Sequence, residues 1–162
     1  TWPDADMLAI GRLRLASNGG EGEPSKFTPD EQRTMMTLWS IMRSPLIMGG
    51  DLPRCDAFTL SLLTNPEVIA VDQHSRNNRP VLTRGDFTAW AAEGADGRSR
   101  YVAVFNLGES AGTLGVPWTD LGIPAERWSV RDLWRREDLG ADSGLRVTLA
   151  PHASALLKLS AP

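Results

Sequence analysis

The sequence predicts a chain in two parts, an α/β part followed by an all-β part that forms an antiparallel sandwich. Before about residue 75, helical periods surround one short continuous apolar run, Pro45–Gly49, which is the pattern of a strand buried on both faces. From Arg79 onward, short runs of alternating polarity are separated by turn residues, as in antiparallel sheets. We therefore expect one domain at residues 1–75 and a second at residues 76–162.

The first helix is predicted from about Pro29 to Arg43. Thr28 is a suitable N-cap, proline occupies the first helical position, and Glu31 completes a capping box. The Ser-Pro pair that follows Arg43 ends the helix, because the residue before a proline is driven out of the helical region. Apolar side chains lie on more than one face of this helix, which predicts burial on more than one side.

The predicted buried strand Pro45–Gly49 ends at the turn Gly49-Gly50-Asp51. A second helical stretch is expected from about Asp56 to Val71, with an interruption at Asn65-Pro66. Two parallel strands do not form a stable sheet by themselves, because each needs partners and cover on both faces. The first part is therefore expected to need more polypeptide to complete its fold.

The second part contains five predicted strands. Their common features are β-branched or aromatic residues in alternation and flanking turns rich in glycine, aspartate and serine. They are Phe87–Ala92, Arg100–Leu107, Arg127–Trp134, Leu145–Leu149 and Ala153–Leu159. In the second of them, Tyr101, Ala103 and Phe105 alternate with Val102, Val104 and Asn106, the two-residue period of a strand.

Composition excludes several classes of function. The 162 residues carry 17 Lys and Arg against 20 Asp and Glu, a net charge of −3 with no basic cluster, so we expect no nucleic-acid partner. No apolar run reaches the roughly 18 residues of a membrane span. One cysteine, Cys55, excludes an intrachain disulfide, and the two histidines show no metal-ligand spacing. We expect neither metal nor cofactor.

Asp4 and Asp6 are the first candidates for chemistry. Two positions apart on an extended segment, they share a face, and paired carboxylates are the groups that glycoside hydrolysis uses. The alternative is a polar loop in which one aspartate is structural. Asp51, at the carboxyl end of the predicted buried strand, occupies a position where α/β barrels place functional groups, although a lone aspartate there also suits a turn.

Tryptophan offers a second kind of candidate, since sugars stack on indole rings. Trp39 lies within the predicted helix, and Trp90, Trp128 and Trp134 lie in predicted strands, so core packing accounts for these four. Trp118 follows a proline in a predicted loop and remains open as a sugar-stacking residue.

Three motifs in the same order resemble glycoside hydrolase family 27, the α-galactosidase and α-N-acetylgalactosaminidase family. They are Trp-Pro-Asp-Ala-Asp-Met-Leu at 2–8, the stretch from Thr37 to Leu52, and the stretch from Leu62 to Gln73. The sequences Val130–Trp134 and Pro151–Ala153 resemble the end of the family's C-terminal sandwich. The resemblance implies that residues 1–75 are the last quarter of a (β/α)8 barrel, from the end of strand seven to helix eight.

The resemblance also implies a retaining hydrolase that removes terminal α-linked galactose or N-acetylgalactosamine. The two catalytic aspartates of the family come from barrel strands four and six, so they would lie upstream of Thr1. Asp6 and Met7 match the Asp-Met that lines the family's sugar pocket and are expected to bind substrate. Trp2, Asp4 and Asp51 are expected at the rim of the pocket. By itself, the 162-residue chain is expected to be inactive.

The sequence departs from the family pattern at the presumed pocket. Pro3 and Ala5 replace the usual Asn and Pro, and the segment Arg12–Phe27 is longer than usual. These differences leave the choice between galactose and N-acetylgalactosamine open. The sequence at 71–75, Val-Asp-Gln-His-Ser, replaces the family's usual Asn-Gln-Asp-Pro ending and indicates a divergent branch. A non-catalytic carbohydrate-binding or interaction module, with Trp118 as its working residue, is the alternative function.

The expected partners are an α-galactoside-type carbohydrate and either the remaining barrel polypeptide or a second copy of the chain. Thr1–Asp4 have neither the charged nor the apolar region of a signal peptide. A secreted or periplasmic protein would need that signal upstream of Thr1, so the location stays open.

Overall fold

The computed structural model describes residues 3–13 and 22–161. Trp2 lies outside the described residues. So do residues 14–21, which belong to the long segment Arg12–Phe27. The elements in chain order are β1 Arg12–Leu13, β2 Glu23–Pro24, α1 Pro29–Met42, a 3₁₀ turn Leu52–Arg54, α2 Ala57–Leu63, α3 Pro66–His74, β3 Arg76–Arg84, β4 Phe87–Glu93, β5 Arg100–Asn106, β6 Gly112–Pro117, a 3₁₀ turn Trp118–Leu121, β7 Trp128–Asp132, β8 Glu137–Asp142, β9 Gly144–Leu149 and β10 Ser154–Ser160.

The predicted start of helix α1 is confirmed. The Thr28 hydroxyl accepts the Glu31 N–H at 3.2 Å, and the Glu31 carboxylate accepts the Thr28 N–H at 2.7 Å, which completes the capping box. The helix ends at Met42, because Arg43 takes a left-handed conformation with φ 58°. The next amide, of Ser44, donates back to the Trp39 carbonyl at 3.0 Å, so the end is a tight C-terminal cap.

The second helical stretch is divided at the predicted place. Asp56 caps α2 by accepting the Thr59 N–H at 2.7 Å. Asn65 caps α3 and accepts the Glu67 N–H at 3.0 Å. Proline at the first position of α3 cannot continue α2, so two short helices replace a single longer one.

The predicted strand Pro45–Gly49 is wrong in extent and burial. It is reduced to a single parallel bridge between Leu8 and Met48, and Ile47 remains 49% exposed. The Leu8 N–H donates to the Ile47 carbonyl at 2.8 Å, and the Gly49 N–H donates to the Leu8 carbonyl at 3.0 Å. The direction is the one expected for neighbouring barrel strands, but the segment that would cover the other side is not among the described residues.

The Gly-Gly turn after this bridge lets two backbone segments approach closely. A Cβ on Gly50 would lie 2.6 Å from the Arg12 carbonyl oxygen and 2.8 Å from that of Ile10. The Asp51 N–H donates to the same Arg12 carbonyl at 2.8 Å. Only glycine fits at position 50, because any side chain would overlap with backbone atoms.

The all-β part is a six-stranded antiparallel sheet, in the order β3-β4-β5-β10-β7-β8, faced by the two-stranded sheet β6-β9. All five predicted strands are present with ends shifted by at most two residues, and β3, β6 and β8 were not predicted. Gly140 and Asp142 lie within β8 and pair with Val130 and Trp128 of β7. The second part is thus an antiparallel β-sandwich, as predicted.

Two apolar clusters occupy the two faces of the six-stranded sheet. Val102 and Val104 of β5 point into the sandwich, whereas Tyr101, Ala103 and Phe105 point toward the helices. This alternation follows from the two-residue period of a strand, and it explains why β5 is buried along most of its length. Because the second cluster contains residues of both parts, the domain division near residue 75 stays a prediction.

Candidate substrate-pocket segment

The segment Pro3–Met7 folds into a tight turn centred on Asp6. Asp6 has a φ of 67°, a left-handed conformation that aspartate tolerates better than most residues. Its N–H donates to Asp4 Oδ1 at 2.9 Å, and its own Oδ1 accepts the Met7 N–H at 2.8 Å. Each of the two carboxylates therefore uses one oxygen to hold a backbone N–H of the turn, so both aspartates stabilise its fold.

The end of helix α1 holds this turn from the other side. The Trp39 indole Nε1–H donates to the Asp6 carbonyl at 2.9 Å, and the buried Ser44 hydroxyl accepts the Ala5 N–H at 2.9 Å. Trp39 also packs against the helix-facing apolar cluster, as predicted, but its polar contact with Asp6 was missed. Nothing in a local pattern indicates a contact between residues 33 positions apart.

Met7 and Asp6 are both exposed, and Met7 has an exposed fraction of 53%. The Met7 Cβ lies 3.1 Å from where a Cβ on Gly49 would stand, so Met7 sits against the second strand of the parallel bridge. The other carboxylate oxygen of Asp6 has no hydrogen-bond partner within residues 3–13 and 22–161. This pair thus offers one free carboxylate oxygen beside one flexible apolar side chain.

The three rim candidates differ in placement. Asp4 is exposed in the turn, whereas Asp51 is 7% exposed. The Asp51 Oδ2 atom lies 3.6 Å from the Arg54 Nη1 atom. Trp2 lies outside the described residues. Asp51 also lies next to Cys55, whose thiol pKa is raised by burial and then by the nearby Asp56 and Asp51. This thiol is therefore less reactive than an ordinary one.

A shallow cavity beside Asp4 was not anticipated. Its lining also includes Arg43, Asp72 and Gln73. Burial raises the pKa of the Asp72 carboxyl, and the Arg43 charge partly opposes this shift. The Arg43 guanidinium donates to the carbonyls of Ser75 at 2.7 Å and Gln73 at 3.3 Å, which binds the end of α3 to the end of α1 and stabilises the helix dipole.

Trp118 is a core residue, and its candidacy as a sugar-stacking residue is wrong. Its side chain is 1% exposed within the sandwich cluster, and its Nε1–H donates to the Asp142 carbonyl at 3.0 Å. A sugar cannot reach a ring that is packed on both sides. The local sequence suggested a loop, but the 3₁₀ turn Trp118–Leu121 points inward and closes the space between the two sheets.

Within the part of the chain that the structure describes, no group of three or more His, Cys, Asp and Glu side chains could hold a metal ion. Among the helices described above, none is long and apolar enough to cross a bilayer.

Comparison with known proteins matches both parts of the chain. Residues 1–74 match the family model described as alpha galactosidase A, and residues 84–159 match the alpha galactosidase C-terminal beta sandwich domain. An α-galactosidase of Coffea arabica is 36% identical over 132 residues, which cover 80% of this chain and 32% of that protein.

Two solved structures show the same arrangement. A family 27 β-L-arabinopyranosidase of Geobacillus stearothermophilus is 47% identical with a TM-score of 0.90, over 99% of this chain and 37% of that one. α-Galactosidase I of Mortierella vinacea is 29% identical with a TM-score of 0.82, over 98% and 39%. The chain spans about a third of the length of these relatives. It therefore belongs to the α-galactosidase family, glycoside hydrolase family 27, and corresponds to the barrel end and β-sandwich of its members.

Proposed function

We propose that this chain is the C-terminal part of a retaining glycoside hydrolase that removes a terminal α-linked galactose or a sugar of the same ring stereochemistry. The nucleophile and the acid/base are aspartates of an upstream barrel segment. Asp6 accepts hydrogen bonds from sugar hydroxyls through its free carboxylate oxygen, and Met7 packs against the ring. The observation that carries the proposal is this exposed pair, held in a defined turn beside a parallel strand bridge.

The exposed apolar surface of the first part supports an upstream partner. Four large side chains near the bridge and the two helices that follow it are about half exposed: Met7 53%, Ile47 49%, Leu52 58% and Leu60 46%. Such a surface favours association with further polypeptide, and the open edge of the bridge can accept another strand. We propose that the remaining barrel covers it, and that self-association replaces this contact when the barrel is absent.

The identity of the sugar has two candidates. The curated relative named above is an α-galactosidase, but the bacterial structure with 47% identity is a β-L-arabinopyranosidase. β-L-Arabinopyranose has the ring configuration of α-D-galactopyranose without the hydroxymethyl group, so one carboxylate can bind the shared hydroxyls of both. We therefore propose β-L-arabinopyranosides as a second substrate class.

The test compares the 162-residue chain with the complete enzyme, meaning the longer polypeptide in which an upstream barrel precedes this chain. The intact mass of the polypeptide isolated from its source is compared with the 17.7 kDa of this chain. Turnover is measured with three p-nitrophenyl glycosides: the α-galactoside, the α-N-acetylgalactosaminide and the β-L-arabinopyranoside. We expect turnover by the complete enzyme only. If the complete enzyme cleaved none of the three substrates, the proposed function would be refuted. Turnover by the 162-residue chain alone would refute the upstream position of the catalytic pair.

The role of Asp6 is tested in the same enzyme with Asp6→Ala. Loss of a carboxylate that binds hydroxyls is expected to lower kcat/KM by about a hundredfold, since a hydrogen bond to a charged group contributes about 1.5–3 kcal/mol. Asp120→Asn is the matched control, because Asp120 is partly exposed and pairs with Arg84 in the sandwich. Equal activities in the two variants would exclude Asp6 from the pocket.

A further inference from the structure

We propose that Trp39 is a positioning residue for Asp6, acting through the hydrogen bond from its indole N–H to the Asp6 carbonyl. This inference rests on the proposed function, because it assigns to Asp6 the binding of sugar hydroxyls. It adds that the orientation of Asp6 and Met7 depends on the end of helix α1 as well as on the local sequence of the turn.

The backbone of Asp6 is held in an unfavourable conformation. A φ of 67° in a residue other than glycine is strained and persists only where the surroundings enforce it. Three side chains provide such constraints: Asp4 accepts the Asp6 N–H, Ser44 accepts the Ala5 N–H, and Trp39 donates to the Asp6 carbonyl. Asp4 belongs to the turn itself, whereas the other two belong to the end of α1.

The end of helix α1 is itself held by hydrogen bonds. Arg43 in the left-handed conformation turns the chain so that the Ser44 N–H donates to the Trp39 carbonyl. Trp39 and Ser44 are thereby held relative to one another by a backbone hydrogen bond. The Arg43 guanidinium also binds carbonyls at the end of α3. The Trp39 indole that donates to Asp6 therefore belongs to a helix that is packed against a second helix, and not to a loop.

The indole hydrogen bond affects both pocket residues. The Asp6 carbonyl belongs to the peptide that joins Asp6 to Met7, so the indole hydrogen bond restricts the rotation of this peptide. Without the bond, this peptide is held by the Met7 N–H hydrogen bond to the Asp6 carboxylate within the turn itself, so it can turn and change the orientation of both side chains. The Met7 Cβ lies beside Gly49 of the parallel bridge, so a turn of this peptide also changes how Met7 sits against that strand.

The test uses Trp39→Phe, which keeps an aromatic ring and removes the N–H. The matched control is Trp134→Phe, because Trp134 is also partly buried against the same cluster and donates its Nε1–H to Thr37 at 2.9 Å. In the complete enzyme, Trp39→Phe is expected to raise KM about tenfold with kcat nearly unchanged, since the lost contact acts on substrate and transition state alike. Trp134→Phe is expected to keep KM within about twofold of the wild-type value, while its Tm falls by about as much as that of Trp39→Phe.

A merely structural role for Trp39 would lower the folded fraction, and therefore kcat, without changing KM. That result, or equal KM values in the two variants, would overturn the inference. An independent readout is the Met7 methyl resonance in the complete enzyme, which should shift in Trp39→Phe and not in Trp134→Phe. An unchanged Met7 resonance in Trp39→Phe would overturn the inference. This readout does not depend on activity, so it applies even if the wild-type enzyme cleaves none of the glycosides, which is the outcome that refutes the proposed function.

Discussion

The side-chain amide of Asn65 donates a hydrogen bond of 2.9 Å to the backbone carbonyl of Leu133, which lies 68 residues later in the chain. The same side chain caps helix α3 through its oxygen, which accepts the N–H groups of Glu67 and Val68. Asn65 is 3% exposed. One buried amide therefore starts a helix of the first part and binds it to the end of strand β7 in the second.

Asn65→Ala is expected to lower the free energy of unfolding by about 2–3 kcal/mol, because it removes the cap and leaves a buried carbonyl without its donor. Asn65→Asp retains the cap but places a carboxylate oxygen against the Leu133 carbonyl, so it should also destabilise. Urea unfolding measures both variants. Asp56→Ala is the control, since it removes only the exposed cap of α2 and should cost about 1 kcal/mol; equal losses in Asn65→Ala and Asp56→Ala would contradict the prediction.

A second contact between the two parts predicts a dependence of stability on pH. The Arg131 guanidinium donates to both oxygens of Glu67, at 2.8 and 2.9 Å, and these hydrogen bonds hold the pKa of the Glu67 carboxyl below its usual 4.5. The folded state thus favours the charged carboxylate. The stabilisation is complete above about pH 4.5 and is lost as the pH falls through the lowered pKa.

The measurement is the Tm of the wild type and of Glu67→Gln between pH 7 and pH 3. At neutral pH the wild type should have a Tm a few degrees higher, and the difference should shrink below pH 4.5. Glu126→Gln, at an exposed position, is the control and should not differ from the wild type. A difference that persisted unchanged to pH 3 would argue against the ion pair as its cause.

Gly50→Ala should be strongly unfavourable. Its Cβ would lie within 2.6–2.8 Å of two backbone carbonyl oxygens, those of Arg12 and Ile10, so the two segments of the barrel end would have to separate. We expect a loss of about 2 kcal/mol or more in unfolding free energy. Gly115→Ala is the matched control, because the atom nearest to its Cβ would be the end of the Arg146 side chain at 4.0 Å. Similar stabilities for the two variants would refute the close approach.

Trp118→Phe and Trp118→Ala test whether this tryptophan serves the core or a sugar. Because Trp118 is buried and hydrogen-bonded to the Asp142 carbonyl, we expect losses of about 1–3 kcal/mol for Phe and about 3–5 kcal/mol for Ala in chemical denaturation. The affinity of the folded protein for galactosides should not change. Weaker sugar binding with unchanged stability would restore the alternative of a carbohydrate-binding module.

The parts of the fold that were predicted from sequence depend on contacts within a few residues. The capping box of Thr28 and Glu31 and the break at Asn65-Pro66 are both of this kind. Strand β8 was missed because Glu137–Asp142 is exposed throughout and forms only through its pairing with β7. The strand expected at Pro45–Gly49 was overestimated, because burial on both faces requires neighbours that the described residues do not supply.

The candidate site divides in the same way. The family motif around Asp6 and Met7 is continuous in sequence, and so the sequence by itself determined the family, the two-part architecture and these two pocket candidates. The burial of Trp118, the link between Asn65 and Leu133, and the hydrogen bond from Trp39 to Asp6 were decided only by the tertiary structure. The physical reason is that each depends on which distant backbone group a side chain meets when α1, α3 and the sheets pack together.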